Sequence, residues 1–145
     1  MKRRVILALM AANVLFIWGN SALPGEISQA ISDWVGSLFS GGQPVLHGGS
    51  GLLRKIAHFS EFAALGLLSA RYWRLGGERG RHLFSLTMLG CLLTACVDES
   101  IQLLTPDRGP SLVDVWIDTF GAVTGVAVLC VIQKMKNMIS GGNQR

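Results

Sequence analysis

The stretch that decides the fold is CVDESIQLLTPDRGPSLVDVWIDTFG, residues 96–121, which places five carboxylates among apolar residues. Two long apolar runs meet in it, separated by a short segment with two prolines and a glycine, residues 105–111. A lone ionised side chain near the centre of a bilayer costs about 2.5 kcal/mol or more. The acidic residues of this stretch therefore need partners elsewhere in the chain.

The composition favours a membrane protein over a soluble domain. Half of the 145 residues are hydrophobic and only 15% are charged, against roughly 25% in a typical soluble domain. The formal charge of +4 sits mainly at the ends of apolar runs, whereas nucleic-acid binding needs a basic face or arm. We therefore expect no nucleic-acid partner. The three cysteines, Cys91, Cys96 and Cys130, match neither a metal nor a disulfide spacing.

Four apolar runs predict an all-α membrane protein, a bundle of four transmembrane helices in a single domain, residues 1–145. An α-helix needs roughly 20 apolar residues to cross the hydrocarbon core. The runs are about residues 5–23, 56–73, 83–104 and 112–132, and the second is the least apolar. The first resembles a signal peptide too, but the later runs favour an uncleaved anchor. Gly121 and Gly125, four residues apart, predict a close helix contact, although glycine is frequent in membrane helices.

An amphipathic helix is predicted between the first two spans. In PGEISQAISDWVGSLF, residues 24–39, apolar side chains recur at helical spacing on one side, and mostly serines lie opposite. We expect a helix over residues 25–39 at the outer interface, either packed on the rim of the bundle or lying on the membrane as a lid. His47, in the glycine-rich segment that follows, is interpreted as a solvated loop residue.

The basic residues predict how the bundle is oriented. If both termini are cytoplasmic, ten of the thirteen Lys and Arg residues lie inside, and only Arg54, Lys55 and Arg108 lie outside. Such an excess of basic residues on the cytoplasmic side is typical of multi-pass membrane proteins. The sequence therefore predicts a multi-pass protein of the cell membrane with both termini in the cytoplasm.

Polar residues of three predicted spans lie at one depth near the outer side. Residues three or four apart share a helix face. The rise of 1.5 Å per residue places four acidic groups roughly 6 to 9 Å from the outer helix ends, namely Glu61, Asp98, Glu99 and Asp118. The second span contributes Lys55, His58 and Glu61, the third Asp98, Glu99 and Gln102, the fourth Asp114 and Asp118, and the loop Arg108. We expect these residues to line one pocket that opens to the outer face.

Several of these residues also have a purely structural interpretation. Asp114 follows Ser111 by three residues, which is the spacing of a helix capping box. Arg54 and Lys55 have side chains long enough to reach lipid headgroups. A single buried histidine such as His58 is often only a satisfied interior residue, although its spacing to an acid favours a functional role.

The same residues resemble the VanZ-like family of small membrane proteins, named for a member associated with teicoplanin resistance. The resemblance is carried by KIAHFSEFAALG, residues 55–66, and DESIQLLTPDRGPSLVDVWIDTFGAVTG, residues 98–125. The matching residues are Lys55, His58, Phe59, Asp98, Glu99, Gln102, Arg108 and Asp114. Phe62 and Asp118 stand where the family often has Tyr and Asn. The resemblance implies an integral membrane protein with a role in the envelope or in glycopeptide tolerance, and it implies no particular reaction.

Three functions remain open for the predicted pocket. A recognition site would offer Lys55 and Arg108 to a membrane lipid, a cell-wall precursor or a lipoglycopeptide. An enzyme would use an acid or base on a lipid-linked substrate, the candidates being His58, Glu61, Asp98 and Glu99. A scaffold would use charge pairs only to fix helix register.

Recognition is the function we favour, with possible teicoplanin tolerance as its consequence. We expect no cofactor and no metal, because one histidine among hard oxygen ligands with Lys55 nearby is a poor zinc signature. The sequence indicates neither the ligand nor an oligomeric state.

Overall fold

A computed structural model of the chain describes residues 3–39 and 49–142, and those residues form five α-helices and no strand. In chain order the helices are α1 (Arg3–Ser21), α2 (Gly25–Phe39), α3 (Gly49–Leu75), α4 (Gly80–Leu104) and α5 (Leu112–Gly142). The prediction of an all-α protein is confirmed. His47 lies outside the described residues.

Helix α2 has the predicted bounds, α1 begins and ends two residues earlier than predicted, and α3, α4 and α5 extend beyond the apolar runs that predicted them. Helix α3 begins seven residues before its predicted span, and α5 continues ten residues past residue 132. The extension of α5 includes Gln133, Lys134, Lys136 and Asn137. A helix needs only its own backbone hydrogen bonds, so it can continue where the sequence has ceased to be apolar.

Three of the helices are long and apolar enough to cross a membrane, namely α1, α4 and the segment Leu112–Ser140 of α5. Helix α3 has sufficient length, with 27 residues, but its basic and titratable residues reduce its hydropathy. These residues are Arg54, Lys55, His58, Glu61, Arg71 and Arg74. Helix α3 contacts all four other helices and packs most extensively against α5, so protein surrounds much of its surface.

Burial in this bundle differs from that in a soluble protein. Large apolar side chains face outward, including Leu15, Phe16, Trp34, Leu104 and Trp116. The buried residues include the polar side chains of His58, Asp98, Gln102, Asp114 and Asp118. Soluble monomers rarely expose large contiguous apolar surfaces, so this distribution supports a membrane environment.

The apolar core occupies the part of the bundle away from the α4–α5 loop. One cluster is formed by Ile17, Phe62, Leu65, Cys91, Ala95 and Ala122. A second cluster, nearer the α3–α4 turn, is formed by Ala70, Leu83, Val126 and Leu129. The buried acidic residues and His58 lie together at the opposite end, near the α4–α5 loop.

Helices α3 and α5 approach each other closely at small residues. A Cβ atom added at Gly121 would overlap the carbonyl oxygen of Phe59, and one at Gly125 would overlap that of Ala63. On the facing helix, a Cβ at Gly66 would overlap the backbone of α5. The predicted close contact at Gly121 and Gly125 is confirmed. Such an approach allows dispersion contacts between helices that lipid does not drive together.

We expect Gly125→Leu to destabilise the bundle, because its Cβ meets α3 backbone and overpacking costs about 1 to 3 kcal/mol. The matched control is Gly90→Leu in α4, where a Cβ would meet nothing within 4 Å. Thermal denaturation in detergent should show a lower melting temperature for Gly125→Leu than for Gly90→Leu. Equal melting temperatures would contradict the close α3–α5 contact.

Candidate functional site

His58 of α3 lies between two aspartates from neighbouring helices. Its Nδ1 atom is 3.3 Å from Oδ1 of Asp118 in α5 and 3.9 Å from Oδ2 of Asp98 in α4. His58 is 2% exposed and both aspartates are 0% exposed. The three side chains thus connect α3, α4 and α5 at one level of the bundle.

Asp98 has a second partner on its own helix. Nε2 of Gln102 donates hydrogen bonds to Oδ2 of Asp98 at 3.1 Å and to Oγ of Ser21 at 3.3 Å. Asp98 and Gln102 are one helical turn apart and therefore share a face of α4. Through Ser21, the end of α1 is attached to the same cluster.

Asn20 links Glu61 and Arg108 to the end of α1. Its Nδ2 atom donates to Oε1 of Glu61 at 3.2 Å, and Nη2 of Arg108 donates to the Asn20 carbonyl oxygen at 3.1 Å. Glu61 follows His58 by three residues, so it lies on nearly the same face of α3. Four helices and one loop therefore contribute to a single polar cluster.

The first turn of α5 is capped from α4. The backbone N–H of Ser111 donates to Oε2 of Glu99 at 2.6 Å, and the backbone N–H of Asp114 donates to Oγ of Ser111 at 3.4 Å. In a capping box, Asp114 would accept the Ser111 N–H, but Glu99 takes that place. The carboxylate of Asp114 instead pairs with Nη2 of Arg54 at 3.2 Å.

Lys55 does not join the cluster, which corrects the expectation that it lines the pocket. Its side chain is exposed, and it forms no ion pair within the described residues. Adjacent residues of an α-helix point about 100° apart, so Arg54 and Lys55 cannot both face the interior. Arg54, which pairs with Asp114, supplies the second basic group.

The α4–α5 loop positions Arg108 beside α2. The backbone N–H of Gly25 donates to the carbonyl oxygen of Pro106 at 3.1 Å, which holds the loop against the start of α2. Asp107 has a φ of 56°, in the left-handed region that Asp tolerates better than most residues. This turn places Arg108 next to the polar side of α2.

Two adjoining cavities lie beside Arg54. The first has a volume of about 210 Å³, and its lining includes two basic residues and one acidic residue, Arg54, Arg108 and Asp107, together with Ser28 and Ser32. The second, of about 290 Å³, shares Ser28, Ser32 and Arg54 but is otherwise mainly apolar. Its apolar lining consists of Ile31, Val35, Leu53, Ile56 and Ala57. A basic cavity therefore continues into an apolar one.

The two arginines beside these cavities are not fully satisfied. The Nε atoms of Arg54 and Arg108 are buried without a hydrogen-bond partner in the described structure. Burial, followed by the nearby charge of Arg54, lowers the pKa of Arg108 from its ordinary value. An anion bound between them would supply acceptors and reduce the repulsion of like charges.

The structure adds residues that sequence reasoning missed. Asn20 and Ser21 end the first apolar run, and they contact Glu61 and Gln102. The sequence did contain a signal for these contacts, because two adjacent polar residues stand near the end of the first apolar run. Ser28 and Ser32 were placed correctly on the polar side of α2, but periodicity gave no indication that this side faces a cavity.

A comparison with protein families matches residues 5–133 to the VanZ/LLP1 family. No curated protein and no solved structure matches the chain. The matched segment is wider than residues 55–125, which carried the resemblance in the sequence, and it contains every residue of the polar cluster. The family resemblance is therefore confirmed. Since the match covers most of the chain, with α1 to α4 and most of α5, this protein belongs to the VanZ/LLP1 family.

Proposed function

We propose that this chain is a multi-pass membrane protein that binds an anionic envelope lipid, or a lipid-linked cell-wall precursor, in the two cavities beside Arg54. The observation that carries the proposal is the pair of incompletely satisfied arginines in a cavity that continues into an apolar one. An anionic lipid has the same two parts, a charged headgroup and a hydrocarbon chain.

In the proposed arrangement, four helices cross the membrane and α2 lies at its outer surface. Helix α3 is the fourth span, because neighbouring helices rather than lipid receive its buried polar groups. Helix α2 turns Ser28 and Ser32 to the cavities and leaves Ile27, Trp34 and Leu38 exposed. An exposed apolar face suits the boundary between headgroups and hydrocarbon, so we place α2 on the membrane surface while it packs against α3.

The orientation we propose has both termini in the cytoplasm, since ten of thirteen basic residues then lie inside. The α4–α5 loop, helix α2 and both cavities then face the outer side. Lipids of the outer leaflet and cell-wall precursors can reach the cavities from there.

This orientation is tested with single cysteines at Gly109 and Ser140, in a chain with Cys91, Cys96 and Cys130 replaced by alanine. In intact cells, a membrane-impermeant maleimide should label Gly109→Cys, because that position lies in the outer loop. Ser140→Cys should react only after permeabilisation. The opposite labelling pattern would overturn the orientation, and with it the access from the outer leaflet.

The size and chemistry of the cavities define the ligand further. A guanidinium group binds phosphate or carboxylate through two parallel hydrogen bonds, and Ser28 and Ser32 can add hydroxyl donors. The cavity beside both arginines, at about 210 Å³, is smaller than the roughly 300 to 1,000 Å³ of pockets that hold drug-sized ligands. That volume suits a small anionic headgroup but not an entire glycopeptide.

Tolerance of teicoplanin is, in this proposal, a consequence of lipid or precursor binding. Teicoplanin carries a lipid tail, and vancomycin does not. The apolar cavity could take such a tail, or the protein could act on the envelope lipids among which the antibiotic inserts. Either route predicts a larger effect on teicoplanin than on vancomycin.

Acid or base catalysis by His58 has less support than binding. His58 is buried and lines neither of the two cavities, whereas a general acid or base must come within hydrogen-bond reach of its substrate. The scaffold function agrees with the buried pairs, including that of Arg54 with Asp114, but it gives no role to the unsatisfied Nε atoms of Arg54 and Arg108.

Lipid binding is tested by native mass spectrometry of the purified full chain, with phosphatidylglycerol and phosphatidylcholine of identical acyl chains as probes. The wild type should retain the anionic lipid at least about tenfold better, because only its headgroup carries a net negative charge for Arg54 and Arg108. Arg108→Gln should lose this preference. The matched control Arg81→Gln, an exposed residue near the start of α4, should keep it.

Equal retention of the two lipids by the wild type would contradict the proposal. An equal loss of preference in Arg108→Gln and Arg81→Gln would also contradict it, because it would indicate a general effect of positive charge.

A further inference from the structure

His58, Asp98 and Asp118 present unsatisfied ligand atoms to one another in the interior of the bundle. One ligand atom from each residue lies within 4.8 Å of the other two. Nδ1 of His58 and both carboxylate oxygens of Asp118 have no hydrogen-bond partner in the described structure. The atoms thus converge on a shared space at ion-pair distance, but without the geometry of hydrogen bonds.

The formal charges around this space do not balance. The acidic residues of the cluster are Glu61, Asp98, Glu99, Asp114 and Asp118, and the basic ones are Arg54 and Arg108. Five negative charges against two positive charges leave an excess of three, and protonation of His58 would still leave two. Uncompensated carboxylates are costly in a water-poor interior. A divalent cation would supply two positive charges where the carboxylates are most buried.

We propose that His58, Asp98 and Asp118 bind one divalent metal ion, with Nδ1 of the histidine and one oxygen of each aspartate as ligands. One imidazole with two carboxylates remains a poor zinc set, but it suits Mn²⁺ or Fe²⁺. The expectation of no metal also relied on a nearby Lys55, and that side chain lies exposed outside the cluster. Metal–ligand bonds of about 2.0 to 2.2 Å place neighbouring ligand atoms roughly 3.0 to 3.5 Å apart. The separation of 3.3 Å between His58 and Asp118 fits this range, and the separation of 3.9 Å to Asp98 requires only a small side-chain movement.

Gln102 supports the proposed site from outside the ligand set. It donates a hydrogen bond from Nε2 to Oδ2 of Asp98, and its own Oε1 is buried without a partner. Hydrogen bonds of this kind orient carboxylates that bind metals. Three protein ligands leave at least one coordination position for water or another ligand. The ion would join α3, α4 and α5 at one level.

The metal site is independent of the proposed lipid site. None of its three residues lines either cavity beside Arg54. Loss of lipid binding would therefore leave the metal site intact, and absence of metal would leave the lipid proposal intact.

The experiment uses the full chain, purified in detergent through an affinity tag without histidines and freed of metal with a chelator. Titration with Mn²⁺, followed by the electron paramagnetic resonance signal of the free ion, should show one saturable site per chain. His58→Ala and Asp118→Asn should each weaken binding by at least about tenfold. The matched control is His82→Ala. Nδ1 of His82 also lies beside a carboxylate, 2.5 Å from Oε2 of Glu78, but this histidine is exposed and outside the proposed site. The affinity of this variant should equal that of the wild type.

Pulsed electron paramagnetic resonance of the wild type alone decides the case if the variants do not fold. Bound Mn²⁺ should show coupling to the nitrogen of one imidazole. Absence of saturable binding, or bound Mn²⁺ without nitrogen coupling, would overturn the proposal. Unchanged affinity in both folded variants would also overturn it.

Discussion

Carboxylates buried among apolar helices need partners, and the arrangement of the bundle near the α4–α5 loop follows from that need. Asp98, Asp114 and Asp118 are all buried, and an ionised group left unpaired in such a place costs about 3 to 5 kcal/mol. Each carboxylate lies close to a basic or titratable group of α3, Arg54 or His58. Because α4 and α5 must both place their acids against α3, their rotation about their own axes is restricted.

The remainder of the bundle depends on a different interaction. Lipid tails are as apolar as leucine, so helices in a membrane associate through close packing more than through hydrophobic burial. Gly66, Gly121 and Gly125 bring the backbones of α3 and α5 together below the polar cluster. Helix α3 thus takes part in both the charge pairs and the close packing at glycines, which explains how a helix with modest hydropathy can lie at the centre. Its polar residues contact protein at one end, and its small residues admit another helix in the middle.

Much of this architecture could be predicted from the sequence, because helical periodicity determines which residues share a face. It placed His58 and Glu61 together, and it assigned the bounds of α2. It could not choose between Arg54 and Lys55, since residues 54, 58 and 61 have a helical spacing as regular as residues 55, 58 and 61. The choice depends on Asp114, which is 60 residues away along the chain.

For a similar reason, helical periodicity could not predict the contacts that the end of α1 makes. Asn20 and Ser21 meet residues 41 and 81 positions later, and only the packing of whole helices brings them together. Hydropathy also underestimated the lengths of α3 and α5, because it detects the apolar part of a helix and not the helix itself. The acidic residues of the site, His58 and Arg108 were therefore predictable, but Arg54 and the cavities beside it were not.

The central claim is that specific pairing across helices stabilises the buried carboxylates, and a double-mutant cycle on Arg54 and Asp114 tests it most directly. The free energies of unfolding in detergent are measured for Arg54→Gln, Asp114→Asn and the double mutant, with the exposed neighbour Lys55→Gln as the control. We predict that Arg54→Gln is more destabilising than Lys55→Gln, and that the double mutant loses at least about 0.5 kcal/mol less than the sum of the single losses. Additive losses, or equal effects at Arg54 and Lys55, would contradict the account.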